Sequence, residues 1–277
     1  MWVIVEIREK ALVAIRFLHH AALTGFAAIL PLMVLGILPV KANEPVQVKV
    51  GAYEYSDIFF YDNDQPNGVV PKLIKLLNDF QENYEFRLAE TSSRRRYEGL
   101  MNGDFDLVLF DSPKWEWHEL DVQFSDTLLV ESDLYVALAS GEDPEALFSD
   151  VLSYPILCVL GFHYSFADFN ADPAFLEANY DVLLRYNEED VFDGLLAGEA
   201  PVGVISAGFL TTKLNQQPEL SEKLVFAVMP HARYDLVSVL SSNSAITLEQ
   251  FNQLIAKVKD SGVADHLWQH HHPDLPG

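Results

Sequence analysis

The chain has 277 residues, 49% hydrophobic and 12% aromatic, and its 41 acidic against 18 basic residues give a formal net charge of −23. The apolar content excludes a disordered chain, and 14 Gly with 14 Pro exclude a collagen-like or low-complexity one. Nucleic acid and anionic membrane surfaces are poor partners for such an acidic protein, and one Cys excludes an intramolecular disulfide framework or a Cys-rich metal site.

Arg8, Lys10 and Arg16 precede an uncharged stretch from Ala21 to Val40, which ends at Val40-Lys41-Ala42. A positive segment, an apolar segment and a small-residue cleavage site read as a secretory signal peptide over 1–42, which implies export. An uncleaved anchor is the alternative, because twenty apolar residues can span a bilayer; Pro31 and Pro39 speak for cleavage. Removal of 1–42 takes 4 of the 18 bases and 2 of the 41 acids, leaving 14 against 39, a charge of −25. The acidity therefore belongs to the exported part.

Val46, Val48 and Val50 alternate with Gln47 and Lys49, which predicts a strand over 46–53 with one buried face. After a polar loop, Leu73, Ile74, Leu76, Leu77 and Phe80 recur at helical spacing over 70–80, with Pro71 in the first turn. A strand is predicted over 84–88, a helix ending at Asn102-Gly103, and a buried strand over 106–110. This strand–helix alternation implies parallel pairing with right-handed crossovers. The order returns as a strand over 155–160, a helical region over 162–170, a strand over 182–186, a helix over 189–196 and a strand over 202–206. Tyr97–Gly103 before Asp106–Asp111 parallels Phe192–Gly198 before Pro201–Ser206: each is a helix stopped by Gly and followed by a strand. The repeat predicts two similar α/β lobes. An amphipathic helix begins at Thr247, breaks at Ser261-Gly262 and resumes to Trp268, followed by a polar tail. Cys158, inside Ile156–Leu160, reads as a buried small hydrophobe, with a reactive thiol as the alternative. His270, His271 and His272 read as tail rather than metal ligands, since neighbours on a frayed end give no fixed geometry.

Several local patterns in order resemble the extracellular solute-binding proteins of family 3. They are Gly51-Ala52-Tyr53 to Phe60-Tyr61 with Gly68, Leu100-x-x-Gly103-x-x-Asp106, Phe124-Ser125-Asp126, Gly198 to Ile205, and Ser261-Gly262-Val263 to Trp268. The resemblance covers nearly all of 43–268. It implies an α/β fold of two lobes, each a mostly parallel sheet flanked by helices, joined by two hinge strands around a ligand cleft. Lobe one would comprise 43–131 and 233–277 and lobe two 132–232, with crossings near 131–135 and 228–234. Such interlobe clefts are where pockets form, and closure buries the ligand.

The resemblance also carries two departures. In amino-acid-binding members an Arg clasps the ligand carboxylate, and that position falls on His118, with the neighbouring Thr position on Trp115. The lobe-two Asp that takes the ligand ammonium falls on Ser206. An imidazole does not replace a bidentate guanidinium, so an ordinary α-amino acid is an unsafe ligand guess. What remains for the cleft is aromatic and basic: Tyr53, Tyr55 and Phe59 after the first strand; Arg95 beside Ser93; Asp111, Ser112, Trp115 and His118 after the strand at 106–110. Phe162, His163 and Tyr164 follow Gly161, where a helix start would offer backbone N–H groups to an anion. Aromatic faces suit a flat or cationic ligand. Tyr53 and Phe59 read equally as lobe core, His118 as a surface residue, and Arg94-Arg95-Arg96 cannot all face one side.

No Ser–His–Asp motif, Gly-rich phosphate loop or HExxH helix occurs, and no cofactor is expected. The expected function is capture of a small polar solute by a monomer that hands it to an inner-membrane ABC permease. A ligand sensor without transport is one alternative. An enzyme such as a dehydratase is another, with Asp111, His118 and His163 as its acid–base candidates.

Overall fold

The computed structural model describes residues 44–139, 144–265 and 267. The proposed signal segment, Trp268 and the His270–His272 tail lie outside them. No helix among the described residues is long and apolar enough to cross a membrane.

The elements in chain order are β1 (Val46–Ala52), β2 (Phe60–Asp62), β3 (Gln65–Asn67), α1 (Val69–Asp79), β4 (Tyr84–Glu90), α2 (Arg96–Asn102), β5 (Leu107–Asp111), β6 (Val122–Phe124), β7 (Leu129–Leu138) and α3 (Pro144–Ser149). They continue with β8 (Ile156–Val159), α4 (Pro173–Asn179), β9 (Val182–Arg185), α5 (Glu188–Leu196), β10 (Val202–Ser206), α6 (Ala207–Gln216), β11 (Leu224–Phe226), β12 (Ala232–Ser241) and α7 (Leu248–Asp260). β1 runs parallel to β4 and β5, and β8 runs parallel to β9 and β10. The two parallel groups are joined by antiparallel strands, in the order β4-β1-β5-β12-β7-β10-β8-β9. β12 does the joining: Ala232–Leu236 pairs with β7, and the stretch from Val237 to Leu240 pairs with β5 across a register shift between Val237 and Val239. Each parallel group is packed by its own helices, giving separate cores around Leu73, Phe86 and Phe251 on one side and Leu157, Val191 and Leu195 on the other. The mixed α/β architecture is the two-lobe one that the sequence predicts.

The internal repeat has a physical basis. Gly103 and Gly198 both stand at positive φ, 76° and 75°. In each helix ending, the residue after that Gly donates to a carbonyl five positions back: Asp104 N to Gly99 O at 2.9 Å, and Glu199 N to Gly194 O at 3.0 Å. Asp106 then takes Lys49 N at 2.7 Å and Ala245 N at 2.9 Å on its two carboxylate oxygens, tying β1 and the β12–α7 turn to the start of β5.

One predicted helix is replaced by something else. Over 162–170 the chain forms a single 3₁₀ turn, Ser165–Ala167, and α4 starts only at Pro173. Gly161, Asp168 and Phe169 all sit at positive φ, which a helix cannot contain, and the Asp172 side chain caps the later start by accepting from Phe175 N at 2.8 Å. Cys158 is fully buried in β8, where burial pushes its thiol pKa up and leaves it inert.

Phe105 is clamped between two glycines. A Cβ on Gly51 would lie 2.7 Å from its ring and one on Gly99 2.6 Å. Gly99→Ala is therefore expected to destabilise the protein by about 1–3 kcal/mol, because the ring sits among buried neighbours that must shift with it. Chemical denaturation measures this; a change within error would show that the ring moves freely.

Candidate functional site

The carboxyl end of β5 carries the centre of the site. Phe110 adopts a positive φ of 57°, strained for an aromatic residue, and the chain turns so that Asp111 points inward. Asp111 and Arg96 are both fully buried, and Arg96 Nε donates to Asp111 Oδ2 at 2.6 Å. The other carboxylate oxygen accepts from Ser112 N at 2.8 Å and Trp117 Nε1 at 2.9 Å. The guanidinium also donates to Ser93 O and, at 2.6 Å, to the Tyr97 hydroxyl. Its Cζ lies 4.2 Å from the centre of the Tyr97 ring and 4.8 Å from that of Tyr53. Burial is the largest single effect and opposes the charge on Arg96, but Asp111, Tyr53 and Tyr97 together outweigh it and raise the guanidinium pKa.

Around this pair the two lobes touch directly. Ser93 Oγ donates to Leu160 O at 3.2 Å, and the Tyr97 hydroxyl lies 3.1 Å from His163 Nε2. His163 stacks on Trp115 and faces Glu116 at 3.4 Å. Burial lowers the His163 pKa, whereas its hydrogen bond to Glu116 raises it, so the ring is neutral at pH 7. Tyr55 meets Trp115 and Phe162 edge-on at 5.7 and 5.5 Å between ring centres. On the far side of Tyr55, Glu188 bridges the lobes by accepting from Ser56 N at 2.6 Å and Ser206 N at 2.8 Å. Gly161 and Gly208 make the closeness possible. A Cβ on Gly161 would sit 2.7 Å from Ser93 Oγ, and one on Gly208 would sit 2.3 Å from Ser56 Oγ and 2.8 Å from Glu131.

The enclosed space left between the lobes, about 10 Å³, suits one water and is walled by Tyr55, Arg96, Trp115, Asp133, Phe162 and His163. A wider groove of about 620 Å³ opens beyond Tyr55, between the loop at 54–62 and helices α5 and α6.

Of the residues expected in the cleft, Tyr53, Tyr55, Asp111, Trp115, Phe162 and His163 converge here. Ser112 is buried beside them, with its backbone N–H on Asp111. Phe59 belongs to the lobe-one core and reaches the outer groove. Four expectations need correction. Arg95 is exposed, and the inward residue is Arg96, because α2 begins at 96 and turns 96, 99 and 100 toward the sheet. His118 is exposed beside Glu119, outside the cluster, since Trp115 and Trp117 take the inward positions of their loop. Tyr164 is a core residue whose hydroxyl accepts from Val159 N at 2.6 Å and donates to Val159 O at 3.0 Å. Ser206 is buried, but its hydroxyl accepts from Phe209 N at 3.3 Å and caps α6 instead of facing a ligand. No helix N-terminus forms at 161–164.

Glu131, Asp133, Glu188 and Tyr234 were not anticipated. The signal was present in β7, where Glu131 and Asp133 alternate into the buried side of an otherwise apolar strand. Among the described residues no Lys or Arg forms an ion pair with these three acids. Burial raises the pKa of each, and Asp133, with Glu188 adding its charge, reaches about 8.

No protein-family profile matches the chain, and no curated protein does. Solved structures do. A binding component of an ABC transporter from Wolinella succinogenes, complexed with lysine, superposes with a TM-score of 0.66 at 16% identity, covering 82% of this chain and 96% of that one. An ancestral arginine-binding protein bound to arginine gives 0.65 at 16% identity, covering 83% and 100%. The ancestral amino acid-binding protein AncCDT-1, a precursor of cyclohexadienyl dehydratase, gives 0.61 at 19% identity, covering 82% and 95%. The chain therefore has the two-lobe fold of periplasmic binding proteins.

Two predictions follow from the electrostatics. Arg96→Ala leaves Asp111 charged and buried without its partner, and is expected to cost about 3–5 kcal/mol in denaturant unfolding. Arg95→Ala should stay within about 0.5 kcal/mol; equal effects would place the wrong arginine inside. The second concerns pH. Asp133 holds its proton when folded at pH values where the unfolded chain has lost it. Its stabilising share is full below about pH 4 and is lost as pH rises through about 8, at about 1.4 kcal/mol per pH unit. Glu131 and Glu188, whose pKa values burial also raises, act in the same direction. Buried His231, pushed down to about 4, acts oppositely: its share is present above its unfolded value near 6.5 and lost as pH falls through 4. From pH 6.5 to 8.5 the acids act alone, so melting temperature should fall, and Asp133→Asn should flatten that slope.

Proposed function

We propose that the protein is a periplasmic solute-binding protein that captures a small polar molecule between its lobes and delivers it to an inner-membrane ABC permease. The observation that carries this reading is the direct contact of the lobes at Gly161 and Gly208, over a residual cavity into which polar side chains converge. Lobe one is assigned to 43–131 and 233–277, and lobe two to 132–232. β7 and β12 are the two strands that cross between them. The likeness of fold to transporter-binding components supports this role, and a cleavable segment over 1–42 would deliver the protein to the periplasm as a soluble monomer.

Closure is its mechanism. A ligand that fits the closed form better than the open one draws the lobes together, and opening releases it. An enzyme on the same scaffold remains the second reading, because one structural neighbour is a precursor of a dehydratase. Its acid–base candidates are occupied or apart: Asp111 is held by three donors, His163 faces the Tyr97 hydroxyl and Glu116, and His118 lies outside the cluster.

A thermal-shift screen of amino acids, polyamines, organic acids and oligosaccharides is expected to find at least one saturable stabiliser. The same compound should bind Gly208→Leu about tenfold more weakly or worse, because the new side chain wedges the lobes apart and reduces the closed fraction. Small-angle scattering should show that variant expanded. A screen with no stabiliser, or unchanged affinity in the variant, would overturn capture by closure.

A further inference from the structure

Four buried side-chain polar atoms among the described residues lack a hydrogen-bond partner: Tyr55 OH, Trp115 Nε1, Asp133 Oδ1 and Ser238 Oγ. The first three belong to residues that are at least 94% buried and wall the same interlobe cavity. Such orphans are costly, about 1–3 kcal/mol for a neutral group and more for a charged one, so their convergence marks a place built for a molecule that satisfies them.

Their chemistry specifies that molecule. Asp133 Oδ1 has no partner and no Lys or Arg among the described residues pairs with Asp133; burial keeps it protonated in the empty form, so a cation that binds there displaces that proton to solvent and pairs with the carboxylate. Arg96 is the one guanidinium at the cavity, and it is consumed by Asp111, Ser93 O and Tyr97. An incoming carboxylate would find no free cation among the lining residues and would face Asp133, which is coupled electrostatically to Glu131 and Glu188. Tyr55, Trp115 and Phe162 offer aromatic walls, which attract organic cations. Trp115 Nε1 can only donate, so the ligand also needs an uncharged acceptor, such as a hydroxyl or carbonyl oxygen. The outer groove carries the same sign: Glu54, Asp57, Asp62, Glu188 and Glu189 line it against the single base Lys213, which is already paired with Glu189. Such a field concentrates cations at the mouth.

Resting on the solute-binding reading above, we infer that the captured solute is a small organic cation. Its ammonium or amidinium head pairs with Asp133 between Tyr55 and Trp115, and its body carries a neutral hydrogen-bond acceptor but no carboxylate.

Isothermal titration and thermal shift on the purified protein test this with 2-aminoethanol, 3-aminopropan-1-ol and glycinamide, each a cation with a neutral acceptor, against glycolate, acetamide and L-alanine. At least one cation is expected to bind saturably, to change the Trp115 fluorescence, and to lose about tenfold or more in affinity in Asp133→Asn. Tyr55→Leu, which removes the ring and leaves the carboxylate, should weaken the same cation severalfold and decides the question if Asp133→Asn does not fold. Arg95→Ala should leave binding unchanged. Binding of glycolate or L-alanine without any cation would overturn the cation class and leave solute capture standing. Silence from every probe here, with a hit in the wider screen, would also overturn it. Silence in both would sink the solute-binding reading itself.

Discussion

The buried pair of Arg96 and Asp111 is the constraint on which the site depends. A guanidinium and a carboxylate taken fully out of water persist only when every other donor and acceptor is also satisfied. Ser93 O, Tyr97, Ser112 N and Trp117 Nε1 do that here. Each of those partners is thereby fixed. Tyr97 is set against His163, the Trp115–Trp117 loop is drawn inward, and the strained backbone at Phe110 is held. The pair thus orders the lobe-one face of the cleft while removing its own charge from any ligand.

The lobe-two face is held by a different kind of contact. Glu188 accepts backbone N–H groups from both lobes, and glycines at 161 and 208 let backbone approach side chain at distances that no Cβ tolerates. Small residues and a shared acceptor make the closed arrangement close-fitting without a large apolar seam. A seam of that kind would bind the lobes too strongly for an opening step, whereas hydrogen bonds to backbone groups exchange readily with water. The acids Glu131 and Asp133 add a cost to the empty closed form, since burial keeps their charge unfavourable. Stability held back in this way favours a protein that closes best around something.

Much of the fold was legible from residue pattern. Alternating valines gave β1, helical spacing gave α1, and the Gly-stopped helices at 103 and 198 gave the repeat, because period and φ > 0 are local properties. The helix expected over 162–170 was not, because a composition compatible with helix was overridden by three left-handed residues. Within the site, Tyr55, Asp111, Trp115 and His163 could be named from their place after predicted strands. Arg95 is the position where the resemblance puts a cleft Arg, and consecutive arginines offer no periodic clue to which one turns inward; that is fixed by where α2 begins.

By itself the sequence determined the alternation of elements and the two-lobe class, since these depend on residue type at fixed spacing. The tertiary structure alone decided which charges are free. Arg96 is neutralised by a residue fifteen positions away, and Asp133, on β7, is left with one carboxylate oxygen unpartnered in the cavity that Tyr55 and Trp115 also line. Charge compensation is a property of distance in space, and neither periodicity nor composition carries it.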